Sequence, residues 1–421
     1  MTVPPTQKSP SQGLRLLNVV SSIDPAAGGI SESILRLSRA VIHLGHEVEI
    51  VSVDDPDSAW KKDIQVPVHM KGPPRGPLEY SRDFDRWLAQ NSGRFDAIIS
   101  HGIWRFNSRA TRRAAHAAGR PYFVFPHGML DPWFKHHYPV KHLKKCFFWW
   151  LSEYAVLRDA AAVLFTCQEE LLLARESFRP YRCVERVVPL GTGEPPEDKD
   201  GQLRAFAAAF PELRNKRVIL FLGRLHEKKG CDLLLRAFLN LLQSRPREVW
   251  SDLHVMVAGP CWHPDYLKTL RQLADECESL SPGSVSFPGM LSGDLKWGAL
   301  RRAEVFVLPS HQENFGIAVV EALACGTPVL ISRAVNIWRE IESGGAGLVD
   351  SDTAEGCARL LARWLDLSDD GRMEMRTRAV ESFRRNFEIT QTAVSLIDTI
   401  RLFVPDPAQK PEMEMERQAV P

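Results

Sequence analysis

The chain has 421 residues, 44% of them hydrophobic and 25% charged. That is enough apolar material for substantial cores, and the length favours two or three domains over one. A formal net charge of +1 at pH 7 excludes a bulk electrostatic drive toward nucleic acid or an anionic surface, so any basic function has to be regional. The eight cysteines include no C-x-x-C pair and no regular spacing, a pattern of reduced thiols rather than of a disulfide framework or a zinc site.

Residues 1–13, "MTVPPTQKSPSQG", lack the apolar core of a signal peptide and are expected to be disordered. No later stretch reaches the roughly 18 consecutive apolar residues of a membrane span. The expectation is a cytoplasmic protein, with a peripheral contact at the inner face of a membrane left open.

From residue 14 the pattern alternates. "LRLLNVVSSI" reads as a buried strand. "ISESILRLSRAVIHLG" places Ile30, Ile34, Leu37, Val41 and Leu44 on one helical face and stops at Gly45, and "HEVEIVSV" is a strand again. Strands follow at "FDAIIS", "PYFVFP", "AAVLFT" and "RVVPL", with helices near 80–90, 107–118, 140–158 and 168–177. After the Gly-, Pro- and acid-rich "PLGTGEPPEDKDG" the same grammar restarts: "KRVILFLG", "DLHVMVAGP", "EVFVLP" and "TPVLIS" are strands, with "GCDLLLRAFLNLLQ" and further helices between them. Such alternation implies parallel sheets covered on both faces. The economical reading is an α/β chain of two doubly wound domains, 14–195 and 196–387. A helix at 388–403 would pack back on the first domain, and 404–421 would form a disordered tail.

In open parallel sheets ligands gather at the carboxyl ends of strands, and three polar turns fall there. In "DPAAGGIS", Gly28 and Gly29 would let backbone approach a ligand before a helix begins, although a tight turn without a ligand explains them equally well. In "GRLHEKKG", Arg224, Lys228 and Lys229 converge before a helix start, a place suited to a diphosphate, with Arg224 able to grip it bidentately. In "HQENFGIAVVEALACGTPVL", the helix starting near Phe315 or Gly316 offers free backbone N–H groups to a phosphate. Glu321 lies about 7–8 Å farther along the axis at ~1.5 Å per residue. Glu313 precedes the helix. Each carboxylate is therefore expected to accept hydrogen bonds from uncharged hydroxyls, Glu321 from a ribose and Glu313 from a sugar, which implies a nucleotide sugar.

"GRLHEKKG" followed by "ENFGIAVVEALACGTPV" resembles the donor-binding signature of the retaining family-four glycosyltransferases, with Glu313 and Glu321 as their E-x7-E motif. The likeness continues through "GGI", "GHEVEIVS", "PHGML" and "EVFVLPSHQENFG" in the family's order. It implies the GT-B fold, two Rossmann-like domains facing across a cleft, with the nucleotide held by the C-terminal one. By matching position, Arg224 and Lys229 would hold the diphosphate, with Lys228 a lesser helper. Asn314, Phe315, Gly316 and Ile317 would border the donor, and Glu321 would bind ribose. His127 would occupy the catalytic histidine position; His101, at another strand end, is the second choice. Where the family has a glycine-rich turn with Pro-Glu, this chain has "AVNIWREIESGGAGLVD", with Glu340 as the counterpart. The resemblance also implies retention and metal independence; Asp55 and Asp57 are read as a solvated turn, and no cofactor is expected.

The acceptor, a glycan or a lipid-linked molecule, is assigned to the first domain. There "DPWFKHHYPVKHLKKCFFWWLSEYAVLR" mixes Lys135, Lys141, Lys144 and Lys145 with Trp133, Phe134, Phe147, Phe148, Trp149 and Trp150. This mix suits an anionic membrane interface, but the reading adopted is that the aromatics pack the helix onto its sheet. Nucleic acid is not expected. The conclusion is a hexose-transferring enzyme of surface polysaccharide assembly. The rival readings are a GT-B nucleotide-sugar epimerase and a noncatalytic nucleotide-sugar binding module.

Overall fold

The computed structural model describes residues 13–24, 29–133, 135 and 139–404. Gly28, Phe134 and nearly all of the two segments expected to be disordered lie outside the described residues. The chain divides into two compact units, one of Met1–Thr166, Leu171–Val188 and Thr392–Pro421, the other of Cys167–Glu170 and Pro189–Gln391.

The first unit holds a seven-stranded sheet of β1 (Arg15–Val19), β2 (Glu47–Ser52), β3 (Val68–Met70), β4 (Ala97–His101), β5 (Tyr122–Phe125), β6 (Ala162–Phe165) and β7 (Glu185–Val187). Its order is β3-β2-β1-β4-β5-β6-β7, with every pairing parallel. The second unit's sheet has six strands, β8 (Arg217–Leu222), β9 (Leu253–Ala258), β10 (Val285–Gly289), β11 (Val305–Leu308), β12 (Val329–Ser332) and β13 (Gly347–Asp350). These run β10-β9-β8-β11-β12-β13, also all parallel.

Interior strands read as apolar runs because helices cover both faces of a parallel sheet. All residues of β4, β5, β6, β9, β11 and β12 are buried. The sequence reading found these strands. It missed β3, β10 and β13, which all lie at sheet edges and have mixed burial.

The second unit's main segment begins at Pro189 instead of the expected residue 196. The second unit takes up Cys167–Glu170, because Cys167 packs in the second unit's core. The last helix, Ile389–Arg401, buries Leu396, Ile397 and Ile400, and its residues from Thr392 onward belong to the first unit. There Phe403 meets Phe123 edge to face at 5.7 Å.

The aromatic-basic segment also departs from the core-packing expectation. Trp149 is buried, donating from Nε1 to the Pro180 carbonyl at 2.8 Å. Val140, Leu143, Phe147, Trp150 and Leu151 are exposed. The helix Pro139–Phe148 buries no residue.

The loops after β8 and β9 cross backbone on backbone. Gly259 has φ +146°, and a Cβ there would overlap the Gly223 carbonyl oxygen. Gly259→Ala should cost about 3 kcal/mol through strain and overlap, read as a lower midpoint in denaturant unfolding; an unchanged midpoint would mean that the two loops part without penalty.

Candidate functional site

The second sheet changes direction between β8 and β11: β9 and β10 extend one side and β12 and β13 the other. Helices leaving β8 and β11 therefore run to opposite faces, and the carboxyl ends of these strands open a crevice. Both donor-type loops follow from these two strands.

After β8, the backbone turns through Glu227–Lys229 into the helix Cys231–Ser244. Lys229 points into the loop after β11 and ion-pairs with Glu313 Oε2. Burial, with the Arg224 charge adding to it, brings the Lys229 ammonium down to about 8, which leaves it mostly protonated at neutral pH. Arg224 is exposed. Lys228 reaches Gln312 Oε1 at 3.3 Å, and its carbonyl accepts from the His311 N–H at 2.8 Å. Side chain and backbone thus both tie the two loops together.

After β11, the chain passes through Asn314 and Phe315 to Gly316, which caps the helix Ile317–Ala324 at φ 79°, ψ 64°. This left-handed conformation costs other residues strain. It aims the helix N-terminus, with its unpaired N–H groups, at the crevice. Phe315 buries its ring against Phe387, at a centroid distance of 5.9 Å, so only its backbone can border a ligand. Glu321, 4% exposed, accepts from Lys296 Nζ at 2.8 Å.

Both carboxylates therefore meet a lysine, where the sequence reading aimed each at a neutral hydroxyl alone. The reason is desolvation: an acid as buried as Glu321 is costly unless compensated. Lys296 was missed because it stands on the helix Gly293–Arg302, whose spacing marks no site.

The departing loop "AVNIW" is hydrogen-bonded to this site. Asn336 donates its N–H to the Glu313 carbonyl at 2.9 Å and its amide to Asn314 Oδ1 at 3.4 Å. Glu340, on the helix Trp338–Gly344, keeps Oε2 buried and without a hydrogen-bond partner, and burial raises its pKa.

In the first unit the sheet reverses between β1 and β4, and a second polar cluster sits there. Asn18, on β1, donates to Ser38 Oγ at 3.0 Å and accepts from His101 Nε2 at 3.0 Å. His101 ends β4, and its Nδ1 lies 2.9 Å from His127 Nε2. The chain of bonds fixes the tautomers. His101 donates from Nε2, so its Nδ1 accepts from His127 Nε2–H. His127 then presents Nδ1 as a lone pair, and this atom is buried with no hydrogen-bond partner. His127 also has φ 51°, a left-handed conformation that stores strain. Gly29 opens the helix Gly29–His43 after β1. Asn18 was missed because one Asn inside an apolar strand carries no pattern. Asp55 and Asp57 form an exposed turn, with Asp57 N–H donating to Asp55 Oδ1 at 2.9 Å.

Burial pushes the pKa of His127 down to about 4, and burial followed by the neighbouring His127 pushes that of His101 well below its usual value. Unfolding releases both to about 6.5, so the unfolded chain binds more protons once pH drops below that value. Stability is therefore complete above pH 6.5 and lost as pH falls toward 4, by about 3 kcal/mol for His127 alone. Thermal melts across this window should show the loss, and His127→Gln should flatten it; an equally steep profile in the variant would place the titration elsewhere.

Residues 205–385 match the family model "Glycosyl transferases group 1", and residues 28–191 match "Glycosyl transferase 4-like domain". Mannosylfructose-phosphate synthase of Agrobacterium fabrum is 25% identical over 344 residues, 75% of this chain and 74% of that one. D-inositol 3-phosphate glycosyltransferase of Xylanimonas cellulosilytica is 28% identical over 404 residues, 88% of this chain and 91% of that one. Among solved structures, Anabaena HepE in complex with UDP and glucose superposes with a TM-score of 0.69 at 17% identity, covering 93% of this chain and all of that one.

Two parallel α/β units, each with polar residues at its sheet's switch point, define the GT-B class of fold. With both units matching, in order, the two domain models of one enzyme class, the chain is a family-four-like glycosyltransferase of group 1.

Proposed function

We propose that the second unit binds a nucleoside diphosphate sugar and that the enzyme transfers the sugar, with retention of configuration, to a glycan or lipid-linked acceptor in cytoplasmic assembly of a surface polysaccharide. The observation carrying this reading is the convergence of Lys229, Glu313, the Gly316 helix start and Glu321 at the β8–β11 switch point. HepE, the solved neighbour bound to UDP and glucose, supports a nucleotide-sugar donor.

Arg224, Lys229 and the helix N–H groups stabilise charge building on the diphosphate as its bond to the anomeric carbon breaks. The acceptor oxygen bonds to that carbon on the same face, and its proton passes to the departing diphosphate oxygen. Glu313, held by Lys229, accepts from sugar hydroxyls, and Glu321, held by Lys296, accepts from the ribose. His127, with Nδ1 as a fixed acceptor, orients a hydroxyl of the acceptor on the first unit. The charge is met by side chains and backbone, so the reading requires no resident metal.

Lys229→Ala and Glu313→Ala should each lower kcat by roughly 100- to 1000-fold with the fold retained by circular dichroism, measured by release of nucleoside diphosphate from a panel of nucleotide sugars. Near-normal turnover in both would remove the site assignment, and conversion of the donor without an acceptor would favour an epimerase. In the same assay, chelation by EDTA should leave turnover unchanged; loss restored by a divalent cation would show that leaving-group charge is met by a metal.

A further inference from the structure

Sixteen large hydrophobic residues are exposed among the described residues, and five of them, Val140, Leu143, Phe147, Trp150 and Leu151, fall within twelve positions. Isolated exposed apolar residues are ordinary, whereas a contiguous group marks an interaction surface. At a helical pitch these five share one side of the helix Pro139–Phe148 and the π turn Trp149–Glu153 that continues it. The opposite side is anchored. His142 stacks on Phe178 at 5.0 Å, Trp149 stacks on Phe178 at 5.0 Å, and Glu153 is buried, accepting from Ser108 and Ser152. The stripe is therefore held outward by a fixed inner face.

Charge selects the occupant. From Trp133 to Ser152 the sequence contains Lys135, Lys141, Lys144 and Lys145 and no Asp or Glu. Lys144 is exposed beside the stripe. The Phe178–Pro180 segment that holds Trp149 leads directly to Arg182, and Arg179 and Arg182 line an open cleft of about 420 Å³ with Tyr181. Arg175, in the same cleft, is tied to Glu185 at 3.0 Å, which leaves the basic character to the other two. A second copy docked on this face by a two-fold axis would set like charges against each other. A bilayer with anionic headgroups instead takes Phe147, Trp150 and Leu143 into the headgroup–acyl boundary while the lysine and arginine charges meet phosphates.

We propose that the surface formed by Val140–Leu151 and the adjoining Arg179–Arg182 loop docks the enzyme peripherally on an anionic phospholipid bilayer. The docking does not depend on the donor-site assignment, and its readout is binding rather than turnover. The full chain should co-sediment with phosphatidylcholine vesicles containing phosphatidylglycerol and not with phosphatidylcholine alone. Lys144→Glu combined with Arg182→Glu should weaken this partition by about tenfold or more. Phe147→Ser combined with Trp150→Ser should abolish it, and neither change should lower the melting temperature, since all four side chains are exposed. Equal partition of wild type and both variants, or no binding to the anionic vesicles, would overturn the proposal. So would a wild-type dimer in solution that Phe147→Ser with Trp150→Ser dissolves, because a second copy would then cover the face.

Discussion

A parallel sheet needs cover on both faces, and the rest of this chain follows from that constraint. Each crossover returns a helix to one face or the other, and only where successive crossovers diverge do strand ends remain open to polar residues. β1 and β4 make that divergence in the first unit, and β8 and β11 make it in the second. The two constellations with chemical potential, Asn18–His101–His127 and Lys229–Glu313–Glu321–Lys296, both lie there. Their position is a product of topology; their chemistry is a product of the side chains that topology brings together.

The two constellations handle burial differently. In the second unit the acids are compensated by charge, Glu313 by Lys229 and Glu321 by Lys296. Each pair sets a lysine ammonium against a carboxylate that burial would otherwise leave uncompensated. In the first unit no counter-charge among the described residues stands by the histidines, so burial keeps them neutral, and the hydrogen-bond chain from Asn18 decides which nitrogen faces outward. One design holds charge and the other holds a tautomer.

Much of this was legible in the sequence because it rests on local pattern. The buried strands are apolar runs, and "GRLHEKKG" and "ENFGIAVVE" carry their loops' chemistry in contiguous residues. What stayed hidden depends on long-range placement. β3, β10 and β13 are half-exposed edges whose residues obey no strong period. Lys296 reaches Glu321 across twenty-five positions of sequence, and Asn18 reaches His101 across eighty-three; neither residue type is unusual where it stands. Around Trp149 composition alone could not separate inward from outward aromatics, since neighbours one position apart point to different sides of a helix.

The helix beginning at Ile389 has a consequence for synthesis. It buries Ala393, Leu396, Ile397 and Ile400, and Phe403 beyond them rests on Phe123, so the first unit borrows part of its own interior from a later-made portion of chain. The second unit is translated in full before that portion emerges. The earlier-made half of the enzyme is accordingly the later one to complete its packing, and truncation before Ile389 would be felt first in the seven-stranded sheet.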